Sequence, residues 1–310
     1  MSRDLIISCM ALRKLPDWLP WAGLAPQLLE WPGVPTESGH PSWQRAARAM
    51  RDADGRLLPT LLRRYSAFLG HGLDDAGRIA ALGFSAGSNS GLRELLRHPE
   101  DRARIDFVGA VDGLHPTLRV PRHSVRRFAD DPTTLYADWQ RQMGPFAETA
   151  LSAAYGAGVI VATASEVIPA SPQVAPTATA LASLYAHVAR QVQATAPAVP
   201  ATYPPRASSP ELRAGELYPT PTQIRGAGDF VALWYPGGDR RAHELQAWVV
   251  VPDLLRAWLV PAWGGPSPGL VSHSPEPART PGPPRTVSGL PSWTAPATAM
   301  TAAAACAALQ

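Results

Sequence analysis

The sequence Ile79-Ala80-Ala81-Leu82-Gly83-Phe84-Ser85-Ala86-Gly87 joins an apolar stretch to a serine that is flanked by glycines. Its first six residues are typical of a buried β-strand, because they form a short and almost continuous apolar run. The residues from Ala86 to Leu96 are typical of a helix. A strand that passes directly into a helix predicts a parallel sheet whose strands are connected by helices.

The alternation of short apolar strands and longer helices continues on both sides of this stretch. Five strands are predicted, at Leu5–Ala11, Arg78–Phe84, Ile105–Val111, Val159–Ala164 and Asp229–Trp234. Helices are predicted at Ser42–Met50, Leu58–Leu69, Ala86–Leu96, Thr134–Tyr155, Thr177–Gln193 and Arg240–Leu259, the last of them broken near Pro252. This order predicts an α/β fold with a mostly parallel sheet of few strands and with helices on both faces.

Proline marks two regions that depart from this pattern. Residues 194–221 form a Pro-rich insertion within a domain that spans residues 1–264. Residues 265–310 form a Pro/Ala-rich tail with too few large apolar side chains to build a core of its own. The tail is therefore the candidate region for contact with a protein partner or for self-association.

Composition and charge argue against several classes of function. The net charge is only +3, and the arginines are spread along the chain instead of forming a basic run that would bind nucleic acid. The two cysteines, Cys9 and Cys306, and the lack of a Cys/His cluster argue against a disulfide framework and a metal site. No apolar stretch is long enough for a membrane span, and Asp4 interrupts the basic leader of a signal peptide, so we predict a cytoplasmic protein.

Ser85 lies in a Gly-x-Ser-x-Gly pattern, which is a weak signal alone because its residues are common. A strand before the serine and a helix after it form the context in which this pattern places a nucleophile on a sharp turn. The glycines leave room for that turn, and the N–H of Ala86 at the helix N-terminus would face a developing oxyanion. The alternative is a glycine-rich turn that only packs the helix closely against the sheet.

A serine nucleophile needs a general base, and His243 is the strongest candidate among the eight histidines. It follows the last predicted strand, and functional residues gather at the carboxyl ends of strands in an open parallel sheet. His115, close to the end of the Ile105–Val111 strand, is the competing candidate. The non-catalytic interpretation of His243 is a solvated histidine on a surface helix.

Two carboxylates compete for the role of orienting the histidine. Asp112 ends the strand after the serine helix, whereas Glu166 follows the next strand. A carboxylate in this role holds the imidazole and stabilises its cationic form during proton transfer. We favour Asp112 slightly over Glu166, and for both the alternative is a strand-end carboxylate that caps a loop or pairs with an arginine.

The segment from Arg78 to His115, with Gly-Phe-Ser-Ala-Gly and Val-Asp-Gly-Leu-His, resembles the centre of an α/β-hydrolase of the serine esterase family. Residues 237–243, Gly-Gly-Asp-Arg-Arg-Ala-His, resemble the histidine loop of that fold. The resemblance implies a catalytic triad that hydrolyses an ester or related acyl bond through an acyl-serine intermediate, without cofactor or metal. It also implies a small-molecule or lipid-like acyl substrate.

One departure from the family pattern concerns the oxyanion site. No His-Gly-Gly-Gly-type segment follows an early strand, and the loop around Met10 is the candidate for the second donor instead. Two other functions are consistent with the sequence. One is a catalytically inactive hydrolase-like scaffold that assembles through its C-terminal tail, and the other is a different α/β enzyme or binding protein that uses the same sheet edge.

Overall fold

The computed structural model describes residues 3–9, 24, 26–35, 41–70, 75–117, 132–169, 174–192 and 209–265. Met10, residues 194–208 of the Pro-rich insertion and residues 266–310 of the tail lie outside these ranges. The strands are β1 (Leu5–Cys9), β2 (Gln27–Glu30), β3 (Val34–Pro35), β4 (Pro41–Ser42), β5 (Ile79–Phe84), β6 (Phe107–Val111), β7 (Val159–Ala164), β8 (Gln223–Ala227) and β9 (Phe230–Trp234).

Seven of these strands form one sheet in the order β2-β1-β5-β6-β7-β9-β8, and β3 pairs with β4 separately. All neighbours in the main sheet are parallel except β8 and β9. The register places Phe84 opposite Val111 and Val111 opposite Thr163, so the carboxyl ends of β5, β6 and β7 meet at one edge. The predicted α/β fold with a mostly parallel sheet is confirmed.

The helices connect these strands and cover the sheet. They are α1 (Trp43–Met50), α2 (Leu58–Leu69), α3, α4 (Pro99–Ala103), α5 (Pro132–Ala154), α6 (Thr177–Gln191) and α7. Helix α3 consists of a π-helical stretch, Gly87–Leu92, and an α-helical turn, Arg93–Leu95. Helix α7 is a continuous helical run that begins with Arg240–Leu245 and ends with Val260–Ala262.

The two faces of the sheet are buried by different helices. Side chains alternate along a strand, so Leu5 and Ile7 join one apolar cluster while Ile6, between them, joins the other. The first cluster contains buried residues of α1, α2, α3, α5 and α6. In the second cluster, α7 supplies all the buried helical residues that the structure describes. Helices therefore lie on both faces, as predicted.

The short elements β3, β4 and α4 were not predicted, and two larger features also differ from the sequence predictions. The two edge strands, β2 and β8, were not predicted, because they carry exposed polar residues such as Glu30 and Arg225 in place of a continuous apolar run. The helical backbone also continues through Pro252 instead of breaking there. The π-helical stretch Gln246–Val250 comes just before Pro252, and wider turns of this kind accommodate a residue without an N–H.

Among the helices that the structure describes, none combines the length and apolar character needed to cross a bilayer.

Candidate active site

Ser85 occupies the sharp turn between β5 and α3. Its φ of 51° lies in the left-handed region, where a residue with a Cβ is rarely found. The Ser85 N–H donates to the carbonyl of Val111, the last residue of β6, at 3.0 Å, and this bond ties the turn to the neighbouring strand. Backbone strain of this kind costs about 1–3 kcal/mol and is concentrated at functional sites in proteins.

The glycines around Ser85 are required by close contacts. A Cβ on Gly83 would lie 2.8 Å from the backbone of Ser88, and a Cβ on Gly87 would lie 1.7 Å from the carbonyl oxygen of Cys9. Gly113 is equally constrained, since its Cβ would lie 2.2 Å from the Ser85 carbonyl oxygen. The turn that carries Ser85 is therefore packed directly against the end of β1 and against the turn that follows Asp112.

Asp112 is almost completely buried at the carboxyl end of β6, and all its oxygen atoms have partners. Its side-chain Oδ1 accepts from the Ser165 N–H at 2.8 Å, and Oδ2 accepts from the Ser165 hydroxyl at 2.5 Å. Asp112 also has a positive φ, 38°, and its N–H donates to the carbonyl and hydroxyl oxygens of Thr163, both at 3.1 Å. The bonds from Ser165, directly after β7, hold the carboxylate in one orientation, and the bonds to Thr163 fix the backbone of Asp112.

The same carboxylate contacts His243. Asp112 Oδ2 lies 2.7 Å from His243 Nδ1, so the imidazole is oriented by a buried acid. The imidazole also packs on the ring of Phe84, the residue before Ser85, with ring centroids 4.5 Å apart. The structure thus brings together the end of β5, Asp112 and His243, which are far apart in the chain.

The helix that carries His243 is fixed at its first turn. The Asp239 side chain caps α7 by accepting from the Ala242 N–H at 2.7 Å. Arg241 donates to both oxygens of Glu216, at 2.8 and 2.6 Å, and this side-chain hydrogen bonding lowers the pKa of Glu216 to about 2. The position of His243 is therefore set by contacts of the residues directly before it.

Glu166 lies near this group but does not join it through its side chain. The residue is exposed, and its carboxylate makes no hydrogen bond or ion pair with the residues that the structure describes. Its backbone N–H donates to the Gly237 carbonyl at 3.0 Å. Glu166 therefore holds the loop before His243 through its main chain, and Asp112 is the carboxylate that contacts the imidazole.

His115, the competing histidine, is close to the group but has a different partner. Its Nδ1 lies 3.0 Å from the hydroxyl of Thr177, and its ring centroid lies 6.3 Å from that of His243. Burial lowers the pKa of His115, an effect opposed by the nearby charge of Asp112. A buried histidine with a lowered pKa is favoured in its neutral form.

Ser85 and His243 do not form a side-chain hydrogen bond in this structure, although both residues are described. His243 Nε2 accordingly has no hydrogen-bond partner among the residues of the described ranges. Catalytic hydrogen bonds are often long or poorly aligned in ligand-free enzymes and tighten only when substrate binds. The free Nε2 is the ring nitrogen that is available for proton transfer.

Of the two predicted oxyanion donors, Ala86 lies within the described residues and Met10 does not. Ala86 is exposed at the start of α3, where backbone N–H groups have no partner within the helix. Met10 lies outside the described residues, but Cys9, directly before it, contacts Gly87. Burial raises the pKa of the Cys9 thiol, which keeps this neighbouring group neutral.

Ser165 and Thr163 are the residues of the site that sequence reasoning missed. Thr163 lies at the end of β7 and Ser165 directly follows that strand, next to the strand that carries Asp112. The usable signal was their position, since hydroxyl side chains at the carboxyl end of a neighbouring strand are within reach of the same edge.

In the part of the chain that the structure describes, no three Cys, His, Asp or Glu side chains lie together in an arrangement that would hold a metal ion.

A scan against models of known protein families finds no match to this sequence. A search of curated proteins likewise finds no significant match.

Proposed function

We propose that this protein is a serine hydrolase of the α/β-hydrolase type, which cleaves an ester or related acyl bond through an acyl-serine intermediate. The observation that carries the proposal is the 2.7 Å contact between His243 and the buried Asp112, beside a serine with a left-handed backbone. A nucleophile, a base and a group that orients the base are the parts that acyl transfer requires.

In the proposed mechanism, Ser85 Oγ attacks the acyl carbon while His243 Nε2 accepts the hydroxyl proton. Asp112 stabilises the imidazolium that forms and holds its Nδ1–H toward the carboxylate. The tetrahedral intermediate collapses, and the imidazolium gives its proton to the leaving alcohol. Water then attacks the acyl-serine with His243 again as the base, which releases the acid and restores Ser85.

The charge on the tetrahedral oxygen needs backbone donors. The Ala86 N–H is one proposed donor, since it begins the helix that follows the nucleophile. Contact between Cys9 and Gly87 supports Met10 as the second donor, because the chain after β1 starts beside the serine turn. Three further points stay predictions: a small-molecule or lipid-like acyl substrate, a cytoplasmic location and a partner for the C-terminal tail.

The experiment that tests the proposal is labelling of the purified full chain with a fluorophosphonate probe, followed by mass mapping of the modified residue. We expect stoichiometric labelling at Ser85 that is lost in Ser85→Ala and in His243→Ala. His187→Ala is the matched control, since that histidine lies on α6, away from the serine turn, and should leave labelling unchanged. Failure of the folded protein to react would overturn the proposal and favour the inactive scaffold.

A further inference from the structure

A cavity of about 1050 Å³ lies on the face of α3 that points away from the sheet. On that helix, Gly87 and Gly91 face Cys9 of the sheet, whereas Asn89, Ser90 and Arg93 line the cavity. The other walls come from α1 and its C-terminal end and from α5. A volume of this size matches pockets that hold small molecules.

The cavity has an excess of positive charge. Among the described residues, its lining contains five arginines and one carboxylate: Arg48, Arg51, Arg93, Arg97, Arg141 and Glu94. Glu94 lies 2.9 Å from Arg51, 3.6 Å from Arg97 and 4.0 Å from Arg93. One buried carboxylate is therefore shared by three guanidinium groups.

Arg93 is buried but has few partners among the described residues. Its side chain is 9% exposed, and its described contacts are the 4.0 Å approach to Glu94 and one hydrogen bond of 3.5 Å to Gln142 Oε1. That amide oxygen already accepts a 2.7 Å bond from the Thr117 N–H. A guanidinium has five N–H donors, so most of those on Arg93 have no described acceptor although the group is buried.

The surroundings of Arg93 make this state costly. Burial lowers the pKa of Arg93, and the charges of Arg97 and Arg141 act in the same direction, against the opposite effect of Glu94. A buried cation without adequate partners is destabilising, because the lost hydration is not replaced. An anion inside the cavity would supply acceptors for these donors and offset the repulsion among the arginines.

We infer that this cavity binds a small molecule that carries two or more phosphate groups. The planar fork of arginine matches the oxygen geometry of phosphate. The local excess of positive charge favours a polyanion over a single carboxylate. The inference does not rest on acyl transfer at Ser85, because the cavity lies on the outer face of α3.

Inorganic pyrophosphate is the probe, and its binding to the full chain is measured by titration calorimetry. We expect saturable binding with one site, weakened about tenfold or more in Arg93→Gln, since a charge-assisted interaction is lost. Arg97→Gln should weaken binding about threefold. Its side chain is 64% exposed, so this variant tests the cavity even if Arg93→Gln fails to fold.

Arg45→Gln is the matched control, because Arg45 is an exposed residue of α1 that does not line the cavity. The Arg45→Gln variant should bind pyrophosphate with the affinity of the wild type, and so should Ser85→Ala. Three results would overturn the inference: no binding, equal weakening by Arg45→Gln and Arg97→Gln, or binding of citrate with none of pyrophosphate. The last result would assign the cavity to polycarboxylates.

Discussion

The two polar regions beside α3 differ in how the protein satisfies its own charged groups. At the sheet edge, the buried Asp112 carboxylate accepts from Ser165 and contacts His243, so the chain itself supplies every partner. In the cavity on the outer face of α3, five arginines line the described walls, and three of them share the single carboxylate of Glu94. The first arrangement is complete before substrate arrives, whereas the second is completed by a ligand from outside.

The largest effect at the sheet edge is expected from removal of Ser85, the proposed nucleophile. Ser85→Ala should lower kcat for an activated ester by about 10⁶-fold, because no acyl-serine can form. The same variant should keep pyrophosphate binding, which would separate the two regions. Steady-state kinetics with a p-nitrophenyl ester gives the rate, and comparable turnover by wild type and variant would contradict the role of Ser85.

The next effect distinguishes the two candidate carboxylates. Asp112→Asn should lower kcat by about 10⁴-fold, since an amide neither holds the required tautomer nor stabilises the imidazolium. Glu166→Gln should change kcat by less than about twofold, because an exposed carboxylate without a described partner contributes little. Parallel kinetics on the two variants, with circular dichroism as a check on folding, decides between them, and the reverse ranking would assign the role to Glu166.

A pair of glycines tests the close packing of α3. Gly87→Ala should lower the free energy of unfolding by at least about 3 kcal/mol, because its Cβ would overlap the Cys9 carbonyl. Gly144→Ala, in α5 with open space around it, should raise that free energy by about 0.5–1 kcal/mol. Urea denaturation measures both, and equal effects would mean that α3 does not lie against the end of β1.

Ser165 is expected to act as a positioning residue for Asp112. Ser165→Ala should lower kcat by about tenfold to a hundredfold with little change in KM, since a hydrogen bond to a charged group is lost. Ser165→Thr keeps the hydroxyl and should restore part of the rate. Ser152→Ala, which removes an exposed hydroxyl on α5, is the control. A shift of the acidic limb of the kcat–pH profile in Ser165→Ala would support a positioning role for Ser165. A rate that falls equally at every pH would indicate loss of folded protein instead.

The smallest effect concerns pH and His115. Its pKa in the folded protein lies below the unfolded value, so the unfolded chain binds more protons as the pH falls. His115 therefore contributes stability that is lost as the pH falls from about 7 through the unfolded pKa of about 6.5. His115→Gln should show a smaller difference in unfolding free energy between pH 7 and pH 5 than wild type. An unchanged difference would mean that His115 binds protons equally in both states.

The sequence predicted the interior of the sheet better than its edges. The central strands β5, β6 and β7 are short apolar runs, because both of their faces are buried. The edge strands need fewer apolar residues, and β8 begins with Gln223 and contains Arg225. The central strands and the helices that follow them could therefore be predicted from local sequence. The pairing of the edge strands depended on contacts that no local pattern specifies.

The candidate site was partly predictable for a similar reason. Ser85 and Asp112 follow neighbouring strands, so topology alone brings them to one edge. The sequence predicted His243 as the base but not which carboxylate it contacts. The choice between Asp112 and Glu166 depended on the directions of their side chains, which the sequence does not give. The arginine cavity was not predicted, because its residues come from three separate helices and no run of basic residues marks it.

Helix α7 has a consequence for how the protein is made. It carries His243 and is the only described helical cover for the sheet face that includes Ile6 and Leu82. A ribosome synthesises the chain from its N-terminus at about 5–20 residues per second, so the start of α7 at Arg240 follows Asp112 by roughly 6 to 26 seconds. Throughout that interval one apolar face of the nascent sheet lacks this helical cover, so we expect it to bind chaperones. The same late segment then covers this face of the sheet and carries His243, the proposed base, so we expect a chain that ends before α7 to be inactive.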